Sequence, residues 1–280
     1  MSAGPLDEER QFDLELRLLL QALYQRYQVD FRQYAPASLR RRVREGMRRL
    51  GHTRLAVLQD AVLRDPAHFG QLMQALTIQV SEMFRDPDYF LALRHRVVPV
   101  LRTYPSLKLR VAGCGNGEEA WSLAIVLQEE GLLERCLVYA TDINPLALQR
   151  AEAGVYPLER AAPFSRAYQA AGGRASLAGH FTEGHGGIVF HRELKRHMVF
   201  SDHSLATDAV FSEVHKVSCR NVLIYFNTTL QDRAVGLFRD ALVHRGFLGL
   251  GSHESLRFGA HANAFDPLDG ANDVRLYRKR

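Results

Sequence analysis

The chain has 280 residues, enough for a sizeable core and more than one structural unit, and its 46% hydrophobic and 24% charged residues are ordinary for a soluble globular protein. No apolar run approaches the ~18–20 residues that span a bilayer, and the start MSAGPLDEER is acidic without a secretory apolar core; a cytoplasmic protein with no membrane insertion is expected. Three scattered cysteines in no CxxC or Cys/His pattern argue against a disulfide framework and against a metal site, and a net charge of +5 permits acidic partners without demanding a nucleic acid.

Residues from about 10 to 85 carry helical spacing throughout and predict a small all-α unit. FDLELRLLLQALYQRY places Leu14, Leu18, Leu19 and Ala22 on one face. In SLRRRVREGMRRLG, Leu39, Val43, Met47 and Leu50 form an inward stripe, with Ser38 as the N-cap and Gly51 as the stop. Arg40, Arg41, Arg42, Arg44, Arg48 and Arg49 lie elsewhere around that helix, with only Glu45 among them. Such a run is ordinarily a solvated face. Like charges this dense repel unless counterions or an acidic partner offset them, so a docking surface for an acidic partner is also expected.

After residue 88, β-rich apolar runs alternate with helical patterns: LKLRVAG, a helix over 118–130, CLVYATD, a helix opened by Asn144 and Pro145, VHKVSCRNVLIYF, and a helix from near Thr228. That alternation predicts an α/β fold with a parallel sheet covered on both faces. FLGLGSHES and DVRLYRKR supply late strands. Residues 160–185 have little apolar periodicity, and GGIVFHRELKRHMVFSDHS reads as a hairpin around Glu193 and Lys195, a small antiparallel β-subdomain at about 178–202. The units expected are 1–88, helical, and 89–280, α/β.

LRVAGCGNGEEAWS is a strand, a glycine turn and a helix start. Its glycines let backbone approach a ligand closely, and the helix N-terminus offers free N–H groups. The spacing is Gly113-x-Gly115-x-Gly117, followed at once by Glu118 and Glu119, whose charges would repel a pyrophosphate. The loop suits instead a cationic nucleoside without phosphates, such as S-adenosylmethionine, with Glu118 meeting its amino group. Asp142, at the end of YATD, is placed to accept ribose hydroxyls. Each signal alone has a plain alternative, a turn for the glycines and a helix cap for Asp142.

SEMFRD (81–86), GNGEEAWSLA (115–124), YATDIN (139–144), SCRNVLIYF (218–226) and GSHESL (251–256) together resemble the CheR family of chemotaxis receptor glutamate methyltransferases over nearly the whole chain. The resemblance implies a Rossmann-like S-adenosylmethionine-dependent methyltransferase sheet with an inserted antiparallel β-subdomain and an N-terminal all-α domain that docks the receptor. It implies cofactor contacts at Gln79, Ser81, Arg85, Gly113, Glu118, Asp142, Ser204, Leu205, Cys219 and Arg220. It also implies active-site roles for Arg85 and Tyr225, and docking of receptor cytoplasmic helices by Arg40, Arg41, Arg44 and Arg48. Relatives often carry Asn where this chain has Gln79 and Ser204, and an acidic residue at His215. FTEGHGGIV is short for a flap that binds a receptor's C-terminal pentapeptide, so tether-independent action is expected.

The reaction implied is methyl transfer from S-adenosylmethionine to glutamate carboxylates of the methyl-accepting receptors. Arg85 is alternatively a helix-terminal salt bridge, Tyr225 a strand-end core aromatic and Cys219 a buried strand thiol. A methyltransferase of RNA or a small molecule, or a non-catalytic sensor of the cofactor, are the competing readings. No (D/N)PPY motif and few interleaved aromatics support nucleic acid as a partner.

Overall fold

The computed structural model describes residues 5–79, 81–184, 186–257, 259–268 and 274–280. Four helices come first: α1 (Pro5–Tyr27), α2 (Pro36–Arg49), α3 (Leu55–Arg64) and α4 (Pro66–Leu76). Their shared core is Leu16, Leu19, Leu20, Leu23, Phe31, Leu39, Val43, Leu58, Val62 and Leu72. The face of α1 predicted from spacing is only partly right: Leu19 is buried, whereas Leu14 and Leu18 remain about half exposed. The segment LELRLLL is apolar around much of its circumference, and packing selects Leu16, Leu19, Leu20 and Leu23. Ser38 is not the N-cap either, because Pro36 already opens α2, its fixed φ suiting the first helical position. Gly51 follows the helix at φ +73°, as its role as a stop requires. Helical structure stops at Leu76 and not near 85; the described residues between there and α5 (Pro87–Ala92) are irregular and run along the α/β unit.

The α5 helix continues through a five-residue π-turn (Leu93–Val97) into α6 (Val98–Leu101). Next come β1 (Leu107–Ala112), α7 (Glu118–Glu129), β2 (Cys136–Asp142), α8 (Pro145–Ala153), β3 (Val155–Pro157), α9 (Ala161–Ala170), β4 (Phe181–Gly184) and β5 (Gly187–Phe190). The chain closes with α10 (Arg192–Lys195), β6 (Met198–Asp202), β7 (Val214–Cys219), α11 (Thr228–Ala241), β8 (Leu242–Leu250), β9 (Phe265–Pro267) and β10 (Leu276–Lys279). Seven strands form one sheet in the order β6-β2-β1-β7-β8-β10-β9. Those from β6 to β8 are mutually parallel, and β10 runs antiparallel to both neighbours. Asn144 caps α8 by accepting from the Leu146 and Ala147 amides, with Pro145 at the first helical position. Asp273 of the DVRLYRKR run lies outside the described residues.

The inserted hairpin sits earlier than its sequence suggested. Strands β4 and β5 meet at a turn around Gly186, and β3 joins them as a three-stranded antiparallel sheet. Glu193 and Lys195 belong to the short α10, and Met198–Asp202 pairs parallel with β2 as the edge of the main sheet. The alternation in IVFHRELKRHMVF therefore spans two strands of different sheets. The stretch at 160–185 that lacked periodicity contains α9, which buries Phe164 and Tyr168. Trp121 of α7 is fully buried, donates to the Ala151 carbonyl at 2.9 Å and stacks on Phe190 of β5, tying the small sheet to the large one.

Candidate active site

Strand order reverses at β1, whose neighbours are β2 and β7, and the loops leaving the carboxyl ends of β1, β2, β6 and β7 converge there. Ligands of open parallel sheets bind at such a switch point. A cleft of about 950 Å³, counted with its open mouth, occupies this place and is closed on its other side by residues of α2 and of the segment after α4.

The glycine turn forms the floor. The Gly113 and Cys114 amides both bond the Thr141 carbonyl, at 2.8 and 3.0 Å, locking the turn to β2. Gly113, Gly115 and Gly117 all have positive φ, and a Cβ at Gly113 would overlap Val222. Asp142 lines the cleft and does not cap α8: its Oδ2 accepts from the Gly115 amide and its Oδ1 from the Asn144 amide, both at 2.9 Å. Burial pushes its carboxyl up from the usual range, against the pull of those N–H donors. Each oxygen keeps a second lone pair for a ligand hydroxyl.

Of the two glutamates, Glu119 lines the cleft and Glu118 lies fully buried outside its lining. Glu118 meets Arg160 at 3.2 Å through Oε1, while Oε2 is buried without a partner. Burial raises its carboxyl to about 7 in spite of the arginine.

Gln79, Ser81, Arg85, Leu205, Arg220 and Tyr225 all line the cleft. Arg85 is presented by a turn in which both neighbours, Phe84 and Asp86, have left-handed φ of 51° and 54°. Such backbone persists only when its surroundings hold it. Here the Phe84 amide donates to Ser122 Oγ at 2.9 Å, and Arg220 donates to the Arg85 carbonyl at 2.7 Å and to Asp86 at 2.8 Å. Asp86 is thus the ion-pair partner of Arg220, not of Arg85.

Ser204 and Cys219 are not part of the lining. The Ser204 hydroxyl accepts from the Ala206 amide within its own turn, and the Cys219 side chain is buried in the core beside β8, its thiol pushed well up by burial. The strand-thiol reading of Cys219 holds for its side chain.

The cleft also contains residues that sequence spacing missed. Arg42 of α2 is 5% exposed, donates to the Leu76 carbonyl at 2.5 Å and stacks over the Tyr225 ring at 4.1 Å; its Nε and Nη2 have no partner. The clue was its place in the helical stripe: Leu39, Arg42, Val43 and Gly46 are the buried face of α2. Asn221, at φ 60°, lines the cleft with an unpartnered Nδ2. Its turn is held by Glu254 of the GSHES segment, which accepts from the amides of Asn221, Val222, Ile224 and Gly251 at 2.7–3.3 Å.

The other arginines of α2 sit outside the cleft. Arg40 pairs with Asp13, Arg44 with Glu9, and Arg48 and Arg49 share Glu45, all at the surface. Arg41 is exposed and has no ion-pair partner among the described residues.

Among the described residues most buried polar atoms without partners cluster in and around this cleft: Gln79 Oε1, Asn116 Oδ1, Glu118 Oε2, Arg220 Nε, Asn221 Nδ2 and two nitrogens of Arg42, the others being His52 Nε2 and Arg275 Nε. Orphaned buried groups carry a desolvation cost that a ligand relieves. Their mixture of acceptors and donors fits a nucleoside bearing an amino-acid end, and the acidic helix entrance does not fit a phosphate.

Comparison with known families agrees. Residues 79–272 match the family described as CheR methyltransferase, SAM binding domain, and residues 14–77 match CheR methyltransferase, all-alpha domain. The chain belongs to the CheR methyltransferase family. A Pseudomonas putida protein named as a methyltransferase, Cher3, is 52% identical over 98% of this chain and 100% of its own length. A chemotaxis protein methyltransferase of Listeria innocua is 30% identical over 71% of each chain, and one of Salmonella typhimurium is 27% identical over 91% of this chain and 85% of its own. As a CheR-family methyltransferase the chain takes S-adenosylmethionine as its cofactor, and the orphaned donors and acceptors fit that molecule. No helix among the described residues is long and apolar enough to cross a membrane.

Proposed function

We propose that this CheR-family enzyme transfers the methyl group of S-adenosylmethionine to glutamate side-chain carboxylates on the cytoplasmic helices of methyl-accepting chemotaxis receptors, forming γ-methyl esters. The observation that carries this is the presence of both charges in one cleft. The carboxylates Glu119 and Asp142 line it together with the cations Arg42, Arg85 and Arg220; Arg220 is paired with Glu119, and Arg42 of the helical unit stacks on Tyr225. The carboxylates suit a cationic donor, and Arg42 and Arg85 suit an anionic acceptor. Relatives named chemotaxis protein methyltransferases point the same way.

When bound, the cofactor supplies an electrophilic methyl group on a sulfonium. Glu118 would meet its amino group through the free Oε2, Asp142 its ribose, and Gln79, Ser81, Leu205 and Arg220 its remaining surface. Ser204 would contribute through its turn and Cys219 through its backbone. A glutamate acceptor is ionised at neutral pH and needs no general base. The residues of this chain therefore act by positioning, which supplies up to about 7–11 kcal/mol in favourable cases. Arg42 has two unpartnered guanidinium nitrogens and is held flat by Leu76 and Tyr225, so its charge orients the incoming carboxylate from this side. Arg85 steers it without a tight bidentate pair, which would favour the charged ground state over a transition state where charge is cancelling. Leu76, Ile78, Val222 and Phe226 give the cleft apolar wall that favours that loss of charge.

The test is transfer of labelled methyl to receptor-containing membranes followed by mild base. Release of the label as methanol supports the proposal. Base-stable label would redirect it to another acceptor, and absence of transfer with intact cofactor binding would leave a sensor. The β4–β5 hairpin has only four residues per strand, which supports action without a receptor tether. Equal methylation of receptors with and without their C-terminal pentapeptide is the expected outcome, and a strong preference for the tailed receptor would reverse it.

A further inference from the structure

We propose that Lys216, Tyr89 and Ser218 form a buried relay that positions Glu119 and, through it, Arg220 and the turn bearing Arg85. The inference rests on assigning the cleft to the cofactor, not on the identity of the methyl acceptor. Lys216, inside β7, is 0% exposed, and its ammonium donates to the Tyr89 hydroxyl oxygen at 2.9 Å. That oxygen lies 2.7 Å from Ser218 Oγ, and Ser218 donates to Glu119 Oε1 at 2.5 Å. Because Tyr89 accepts from the lysine and Ser218 donates to the glutamate, the Tyr89 O–H points at Ser218. The donors thus run in one direction, from a buried cation to a carboxylate in the cleft wall.

The far end of the relay reaches functional groups. Glu119 Oε2 accepts from Arg220 Nη1 at 3.2 Å, and the other nitrogen of that arginine holds the Arg85 carbonyl and Asp86. The Tyr89 ring also lies under the Arg220 guanidinium, 4.1 Å from ring centre to charge. With Arg220 fastened on these sides, its unpartnered Nε is the donor left for the cofactor. The fold makes room for the relay, since a Cβ at Gly249 of β8 would overlap the Tyr89 hydroxyl. Lys216 is sealed from solvent, so the relay ends blindly and conducts no proton. It fixes charge: a lysine buried without a directly bonded carboxylate is costly, and aligned hydrogen bonds that polarise one another spread its field to Glu119.

Calorimetric binding of S-adenosylhomocysteine to the full chain, with a thermal melt of each variant, tests this independently of any methyl acceptor. Ser218→Ala keeps the Lys216–Tyr89 contact and detaches Glu119; a melting temperature within about 3 °C of the parent and about tenfold weaker binding are expected. Tyr89→Phe orphans the Lys216 charge and should lower the melting temperature clearly. Adding Lys216→Met removes that charge and should restore the melting temperature while binding stays about fivefold weak. A purely structural network predicts the opposite for the double variant, stability and affinity returning together, and that result overturns the proposal. Should the double variant not fold, Ser218→Ala decides alone: parent-like affinity in it overturns the relay.

Discussion

Glu118 carries the clearest pH signature among the single residues. Its carboxyl, ordinarily near 4.5, is pushed to about 7 by burial, and Arg160 answers only one of its oxygens. In the free protein the folded state holds that proton more tightly than the unfolded chain. The stabilising contribution is therefore present below about pH 4.5 and is lost as pH rises through about 7. A ligand ammonium reverses the preference by favouring the ionised carboxylate, so binding near neutrality releases a proton. Affinity for S-adenosylhomocysteine should fall by up to about tenfold per pH unit below 7, and Glu118→Gln should flatten the dependence. Calorimetry from about pH 6 to 8 in two buffers of different ionisation heat reads both affinity and proton release. A wild-type affinity that does not change with pH would remove Glu118 from the cofactor's contacts.

Among the elements, the turn after β7 shows why two distant motifs belong together. SCRNVLIYF brings Arg220, Asn221, Val222 and Tyr225 to the cleft, yet its backbone is irregular, with Asn221 left-handed at φ 60°. The Glu254 carboxylate gathers four of the amides at this corner, two on each oxygen. An amide in its place turns one acceptor into a donor facing N–H groups. Glu254→Gln should therefore destabilise the fold by about 3 kcal/mol and weaken the cofactor site with it, read by urea unfolding and calorimetry. Unfolding at the parent's urea midpoint would show that the turn holds itself. Sequence spacing located this turn and the strand that ends at Leu250, but the GSHES segment expected to continue that strand is a turn, and the bond between the two motifs was not visible. The glycine turn and the Asn144 cap were legible because they obey local rules. The hairpin was misplaced because β5 and β6 follow each other closely in sequence while entering different sheets, and no local pattern records which partner a strand will find.

At the scale of the whole molecule, one short helix serves both units. Helix α2 sends Arg42 inward to the cleft and leaves Arg40, Arg41, Arg44, Arg48 and Arg49 outside. In sequence these six looked equivalent; only the stripe shared with Leu39 and Val43 separates Arg42 from the rest. The outer arginines are less available than their number suggests, because Asp13, Glu9 and Glu45 already answer four of them. Exposed pairs of this kind are worth ~0–1 kcal/mol and exchange readily for a partner's carboxylates. Arg41 has no such internal partner among the described residues and offers its whole charge to an incoming helix. The combined variant Arg41→Glu and Arg48→Glu should raise the KM for receptor by about tenfold at low salt, with kcat and S-adenosylhomocysteine affinity unchanged. The gap between variant and parent should shrink as ionic strength rises, since a Debye length of about 3 Å at 1 M screens exposed charges. Initial rates across a salt series measure this directly. A KM that matches the parent at every ionic strength would move receptor docking off this face of α2 and leave Arg42 as the helix's sole contribution to catalysis.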